Sequence, residues 1–385
     1  MSDGKTIRLN DLCNVEYGTR VVQKRDGGSV YPVYGGGGAT FKLDEFNRED
    51  RLVVARFGMS EECARFVSGK FFLNDSGLTV SPRNGQIHQR FLDYQMLSMN
   101  DEIFALGKGS AQKNLDVPAF RELPLYVPAD VVEQKRIVSI LDETFAGIAT
   151  ARANAEKNLQ NARALFDSHL QSVFTSRGYG WVDVTVGEVC DIKHGFAFDG
   201  ADFSKNVSGG NPLVVTPGNF TEDGKLLFST RNTKRYNGKP PAGFQFDVGD
   251  LIVVMTDLSS KMKILGKPAF VETANVLHNQ RIGRVVLKSD RIEKRLLYFF
   301  MMSEGFLRNI RMSATGTMVK HTAPKRIMSN VIPFPPGQKE QRAVINKLDD
   351  LRAETQRLES LYRRKLTALD ALKQSLLHQA FSAEL

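Results

Sequence analysis

The 385-residue chain contains no run of about 18 apolar residues, so it offers no helix able to cross a bilayer. Its start, Met1-Ser2-Asp3-Gly4-Lys5, lacks the apolar stretch of a secretory signal. Cysteine is scarce, and Cys13, Cys63 and Cys190 are too few and too scattered for a disulfide framework or a tetrahedral zinc site. A cytoplasmic protein with reduced thiols is the expectation. Catalytic signatures are missing as well. Gly35-Gly36-Gly37-Gly38 is not followed by the Lys and Ser or Thr of a phosphate loop. No F-x-G-x-G with a downstream N/D-P-P-Y/F occurs, and Asn211-Pro212-Leu213 is not that motif, which excludes an adenine methyltransferase centre. The 6 histidines have no ligand spacing, so no metal site is expected. Cys13 and Cys190 lie on apolar runs and read as core residues rather than nucleophiles. The nearest approach to a nuclease cluster is Asp223-Gly224-Lys225 with Asp199 or Asp202 upstream, in a turn-like stretch without the usual Pro-Asp context.

The chain does have a repeat. Pro128 with Glu133-Gln134 and Ile137 is matched by Pro335-Pro336 with Glu340-Gln341 and Val344, Gln341 following Gln134 by 207 residues. The register holds through Leu141/Leu348, Asp142/Asp349, Leu159/Leu366, Leu165/Leu372, Ser168/Ser375, Leu170/Leu377 and Phe174/Phe381. Upstream it reaches Gly109-Ser110/Gly316-Thr317 and Lys113/Lys320. A globular segment followed by a long helix is thus present twice, which predicts a pseudo-symmetric molecule with two equivalent working ends. The divisions fall at 1–130 (globular), 131–176 (helix), 177–336 (globular) and 337–385 (helix).

Both helical stretches carry apolar residues at heptad-like spacing, with no Gly or Pro near their centres. In the first a weaker stripe runs through Leu141, Phe145, Ile148, Ala155, Leu159, Ala162, Phe166 and Val173. In the second the stripe runs through Leu348, Leu351, Leu358, Tyr362, Leu369, Leu372 and Leu376. So narrow a stripe fits packing against one other helix. At 1.5 Å per residue the helices span roughly 60–65 Å, and antiparallel pairing would carry the globular segments to opposite ends of a rod. Those segments read as strand-rich, from runs such as Leu52–Ala55, Leu251–Met255 and Ile282–Leu287, with short helices over Phe91–Met99 and Lys294–Ile310. Asp11–Gly18 also resembles Glu188–Gly195, a shared opening. The fold class is α+β: two strand-rich α/β segments separated by two long helices packed as an antiparallel coiled coil.

The net charge of +9 is concentrated. Residues 176–336 carry 22 basic and 14 acidic side chains, against 16 and 17 in residues 1–130. A localised basic surface is the footprint of a polyanion. Polar loops with donors and aromatics suit base and phosphate contacts, since Arg pairs with guanine and Asn or Gln with adenine. In the first segment the candidates are Arg20, Lys24, Arg25, Tyr34, Gly36, Ser110, Gln112, Lys113 and Asn114. In the second they are His194, Arg231, Lys234, Arg235, Tyr236, Lys261, Asn279, Gln280 and Arg281, beside His278, with Thr317, Lys320 and His321. Each alone also fits a solvated loop residue. The doubled Gly109-Ser110 and Gly316-Thr317 suggest one backbone contact made twice.

The helix leaders approximate the pattern P-x-x-x-E-Q-x-x-I, and Tyr31-Pro32-Val33-Tyr34-Gly35-Gly36 looks like a Y-P-V-Y-G-G segment, followed here by Gly37-Gly38 instead of Asn-Gly. On these motifs and the duplicated architecture, the chain resembles the DNA-specificity subunits of type I restriction-modification systems. The resemblance implies two target-recognition domains, each reading one half of a bipartite asymmetric site in double-stranded DNA. The helices would set the spacing. It further implies two methyltransferase subunits carrying S-adenosylmethionine, and restriction subunits using ATP and magnesium, with no cofactor in this chain. The competing readings are a subunit of a modification-only or other phage-defence complex, a metal-dependent nuclease using Asp223 and Lys225, and a coiled-coil linker without DNA affinity.

Overall fold

The computed structural model describes residues 4–204 and 209–381; the outermost residues of the first globular and second helical stretches, 1–3 and 382–385, lie outside them. The chain divides into two compact units, one of Met1–Lys157 with Tyr362–Leu385 and one of Asn158–Leu361.

Two long helices, Val131–Ser176 and Gln338–Phe381, each start in one unit and end in the other. In the first unit Ile137, Val138 and Leu141, near the start of one helix, share a core with Leu377 and Ala380 near the end of the other. In the second unit Leu170 and Phe174 share a core with Ile345 and Leu348. Start therefore meets end, so the pairing within each unit is antiparallel. Leu141 and Leu348 are fully buried, while Phe145, Ile148, Leu159, Phe166, Leu351, Leu358, Tyr362, Leu369 and Leu376 are half-buried. Leu372 is a correction: it is 46% exposed. An α-helix drifts about 20° per heptad against a straight 3.5-residue stripe. By this turn the seam has passed to Leu376, Leu377 and Ala380.

In the first unit the strand Gly4–Arg8 pairs with Pro124–Pro128, delivering the chain to the first long helix. A six-stranded sheet follows in the order Cys13–Tyr17, Gly77–Pro82, Arg48–Ala55, Ala64–Leu73, Tyr31–Tyr34 and Lys42–Leu43. Its pairs are antiparallel except Tyr31–Tyr34 with Ala64–Leu73. The apolar content of Leu52–Ala55 and of Phe71, Phe72 and Leu73 suits strand stretches buried on both faces. The helix Gln89–Ser98 closes the core, where Phe91 meets Phe381 edge-on at 5.1 Å.

The second unit opens the same way, Val182–Thr185 pairing with Val331–Phe334. An antiparallel four-stranded sheet runs Cys190–His194, Ile282–Leu287, Leu251–Val254, Pro268–Phe270. A five-stranded sheet runs Phe203–Ser204, Arg235–Tyr236, Leu213–Val215, Val276–His278, Gln245–Phe246. The helical stretch expected over Lys294–Ile310 is two helices, Lys294–Met302 and Glu304–Met312. Ser303 breaks it by capping the second, its hydroxyl accepting from the Phe306 amide at 3.4 Å.

The repeated Glu-Gln leader now has a physical cause. Gln134 is fully buried; its Oε1 accepts from the His88 amide at 2.7 Å and its Nε2 donates to the Gln86 carbonyl at 2.9 Å. Gln341 repeats this with the Glu293 amide at 2.8 Å and the Arg291 carbonyl at 2.9 Å, and adds the Pro335 carbonyl at 3.0 Å. One side chain thus satisfies the open backbone groups just before a core helix and ties them to the long helix. Two turns on, Arg90 pairs with Asp142 at 3.1 Å and Arg295 pairs with Asp349.

Candidate functional site

Three backbone devices are built twice, once in each unit. The first is a tight hairpin. Gly107–Lys108 pairs with Asn114–Leu115 through a turn in which Gly109 has φ +115°, and a Cβ there would lie 2.3 Å from the Gln112 carbonyl. Thr315 bridges His321 through a turn in which Gly316 has φ +94°, with a Cβ reaching to 2.0 Å from the Val319 carbonyl. Glycine is required at both positions. The second device ties each hairpin to the end of a core strand, Leu115 N–H to the Arg56 carbonyl at 2.8 Å and Thr322 N–H to the Met255 carbonyl at 2.9 Å. In the third, the opening strand ends in a glycine pressed on a backbone carbonyl. A Cβ on Gly18 would sit 2.0 Å from Asn74 O, and one on Gly195 would sit 2.2 Å from Asn279 O.

The matched lysines behave differently on these frames. Lys320 Nζ donates to the Gly316 carbonyl at 2.7 Å, closing its own turn, whereas Lys113 lies over the Phe104 ring at 4.0 Å. The glycines, and not the lysines, carry the common geometry.

In the first unit the frame gathers Gly36, Gln112 and Asn114 around Phe57. Gly36 is buried, its N–H donating to Ser76 Oγ at 3.2 Å, its carbonyl accepting from Arg65 at 3.0 Å, and a Cβ would meet Phe57 O at 2.2 Å. It shapes the surface and presents no side chain. Gly37 and Gly38 stand open. Asn114 Oδ1 accepts from Gly58 N–H at 3.3 Å, and Tyr34 packs edge-on against Phe71 at 5.6 Å. Arg56 lies over the rings of Phe57 at 4.4 Å and Tyr17 at 4.8 Å. This exposed aromatic–guanidinium stack went unnoticed in the sequence. Ser110 and Gln112 are exposed on the hairpin tip, and Arg20 and Lys24 are exposed on the segment after Tyr17. Arg25 is held by Asp26 at 2.7 Å, which lowers the Asp26 pKa through that hydrogen bond.

In the second unit the frame brings His194, Phe196 and Asn279–Arg281 beside the Thr315–His321 hairpin. Phe196 N–H bonds His278 O at 2.8 Å, Gln280 N–H bonds Phe196 O at 2.9 Å, and Met255 N–H bonds Arg281 O at 2.9 Å. Asn279 Oδ1 accepts from Arg281 N–H at 3.0 Å, leaving the Gln280 and Arg281 side chains exposed with His194. His321 Nδ1 lies 3.0 Å from Thr256 Oγ1. Asp257 is buried, its carboxylate accepting from Ser259 N–H at 2.8 Å and Ile264 N–H at 3.0 Å, which fixes the loop that displays Lys261. Arg231 is exposed, and Lys234 lies over Phe203 at 5.2 Å. Arg235 donates to Asn211 O at 2.5 Å.

Tyr236 is a correction. Its strand turns it inward, where it packs on Phe198 at 4.9 Å and donates to Asp202 at 3.0 Å. His278 is likewise a core residue, its ring Nε2 bonded to Ile282 O at 2.8 Å and its pKa pushed down to about 4 by burial. Cys13 and Cys190 are buried thiols pushed up to about 12 by desolvation, so neither is a nucleophile. Asp223 is exposed with Lys225 at 3.8 Å, Asp199 caps a 3-10 turn, and Asp202 holds Tyr236. Among the described residues no group of three or more His, Cys, Asp or Glu is placed to hold a metal, and no helix is long and apolar enough to cross a membrane.

Two buried groups, one in each unit, answer oppositely to acid. Buried Asp93 in the first is pushed up to about 6 by desolvation, so the native state holds a proton that the unfolded chain loses from about pH 3.8. Its contribution is complete below 3.8 and is lost as pH rises through 6. His278 contributes fully above 6.5 and loses that contribution as pH falls through 4. In urea titrations of the full chain followed by hydrogen exchange, His278→Phe should flatten the fall in second-unit stability between pH 6.5 and 4. An unchanged slope would place the dependence elsewhere.

The model of the type I restriction modification DNA specificity domain matches residues 1–159 and 179–366. The type I restriction enzyme EcoBI specificity subunit of Escherichia coli is 24% identical over 237 residues, which is 62% of this chain and 44% of that protein. The MjaVIII specificity subunit of Methanocaldococcus jannaschii is 23% identical over 301 residues, 74% of this chain and 68% of that one. Among solved structures, one from work on complex assembly and conformational transition of the type I R-M system aligns at TM-score 0.75 and 15% identity, covering 99% of this chain and 98% of its own. The HsdS subunit from Thermoanaerobacter tengcongensis aligns at TM-score 0.55 and 16% identity, covering 99% and 97%. At these identities the structural likeness shows the fold.

Proposed function

The chain belongs to the type I restriction-modification DNA specificity family, and from that premise we propose that it is the non-catalytic sequence-reading subunit of such a complex. Residues 1–130 read one half of a bipartite site in double-stranded DNA, residues 177–336 read the other, and the long helices fix the spacing. The observation that carries this reading is the frame built twice with different side chains on it. Tyr17, Arg56, Phe57 and Gln112 crown one copy, and His194, Gln280, Arg281 and the 316–321 hairpin crown the other. A shared backbone frame with unlike side chains on it suits two different base sequences read in one manner.

The helices also dock two identical methyltransferase subunits. Repeat positions that are identical and buried, such as Gln134/Gln341 and Leu170/Leu377, serve the fold. Leu165 and Leu372 are identical at the same offset yet 52% and 46% exposed, each beside small residues, Ala164 and Ser168 or Ala371 and Ser375. A pair of equal exposed patches suits a pair of equal partners. S-adenosylmethionine belongs to those partners, ATP and magnesium to restriction subunits, and the assembly is cytoplasmic. Serving a modification-only complex is the second reading, separated by whether a restriction subunit joins.

The test is a genome-wide map of methylated adenine with and without this chain, its methyltransferase present. A split motif with a fixed spacer should vanish without the chain, and exchanging residues 177–336 for those of a related subunit should change one half only. An unchanged map, or a change in both halves, would overturn the reading.

A further inference from the structure

The turn from Gly316 to Val319 carries Met318, which is 81% exposed, and the register Asp257↔Lys320 brings Leu258, 60% exposed, opposite Val319 at the strand ends. Apolar side chains this exposed normally have a partner to meet when they are gathered on one rigid tip. The tip is rigid: Gly316 holds φ +94°, Lys320 closes the turn on its carbonyl at 2.7 Å, and Thr315 and His321 exchange backbone hydrogen bonds at 3.0 and 2.9 Å. The neighbouring chain is mainly basic. Apart from buried Asp257, whose carboxylate is taken up by the Ser259 and Ile264 amides, neither Thr256–Lys267 nor Ser313–Asn330 contains an Asp or Glu, while they include Lys261, Lys320, Lys325 and Arg326, Arg326 donating to Thr315 Oγ1 at 3.3 Å.

An apolar point inside a cationic rim matches a polyanion whose apolar surface lies between its charges, which is the base stack of DNA between its phosphates. We propose that Met318 is an apolar wedge that enters the base stack at one step of the half-site read by residues 177–336. The proposal rests on the recognition function above and adds a positioning residue to it. A thioether chain has the length and flexibility to slip between neighbouring base pairs, and side chains of this kind kink duplexes where stacking is weakest. The hairpin of the first unit carries no such tip, because Ala111 and Gln112 occupy the places of Met318 and Val319 in the repeat. Kinking by a hairpin wedge is therefore confined to one half of the site.

The full chain is used to select its site from a random-sequence duplex pool, and 2-aminopurine is then placed singly at each purine of the selected duplex. One step in the half assigned to residues 177–336 should brighten several-fold on binding. Met318→Ala, a change at an exposed residue, should abolish that signal and weaken binding about tenfold, and Met318→Leu should restore both. Brightening that persists in Met318→Ala would overturn the wedge, as would tight binding by the wild type with no brightening anywhere. If replacing thymine by uracil reproduces the loss without any brightening, Met318 touches a methyl group in the groove and the wedge is wrong. Failure to select any split site is a different result, and it removes the recognition reading together with the wedge.

Discussion

Gln341→Leu should destabilise the second unit by roughly 2–4 kcal/mol, because it strips partners from one amide and two carbonyls beside a fully buried side chain, at about 1–3 kcal/mol for each group left buried and unsatisfied. The residue is fully buried, and leucine fits its volume without supplying a single hydrogen bond. Gln134→Leu should do the same to the first unit, with a smaller loss because it strips one amide and one carbonyl. Urea titration of the full chain, with hydrogen exchange to assign the unit that opens first, separates the two. Glu340→Gln, one residue away and exposed, is the control and should change little. A loss under about 1 kcal/mol for Gln341→Leu would mean that the clamp is ornamental and that the helix is held by Ile345 and Leu348 alone.

Gly316→Val should cost about 1–3 kcal/mol of local strain in this exposed turn, without unfolding the unit, and on the order of a hundredfold in affinity, as expected when the contacts to one or two base pairs are lost. The exposed turn cannot keep φ +94° with a branched side chain, and the new Cβ would collide with the Val319 carbonyl 2.0 Å away. Only the half-site read by residues 177–336 should degenerate. Gly109→Val should degrade the other half. Selection from random duplexes by each variant reads this directly, and variants that retain both halves would show that the hairpins lie off the DNA.

The features visible in the sequence are those that repetition marked. Gly109/Gly316 and Gln134/Gln341 stand at one offset, and each proves to be irreplaceable for a backbone reason. The repeat could not say which face a residue takes. Tyr236 sat in a basic run and looked available, but a strand alternates its side chains and this one points inward. Leu372 matched a heptad and is exposed, because matching a stripe is not the same as lying on the seam where drift has moved it. Tyr17, Arg56 and Phe57 were missed because they come from two strand ends separated in sequence, and only the sheet brings them together.

The division of the long helices has a consequence for how the protein is made. The first unit is completed by residues 362–381, with Phe91 resting on Phe381 and Leu141 sharing a core with Leu377. On the ribosome this core must wait until some two hundred further residues have been synthesised, whereas the second unit's span, Asn158–Leu361, is continuous and can close as soon as it emerges. The later-encoded unit is thus the first able to finish folding. A chain cut short at Leu361 would spoil the unit that was translated first and spare the one translated last.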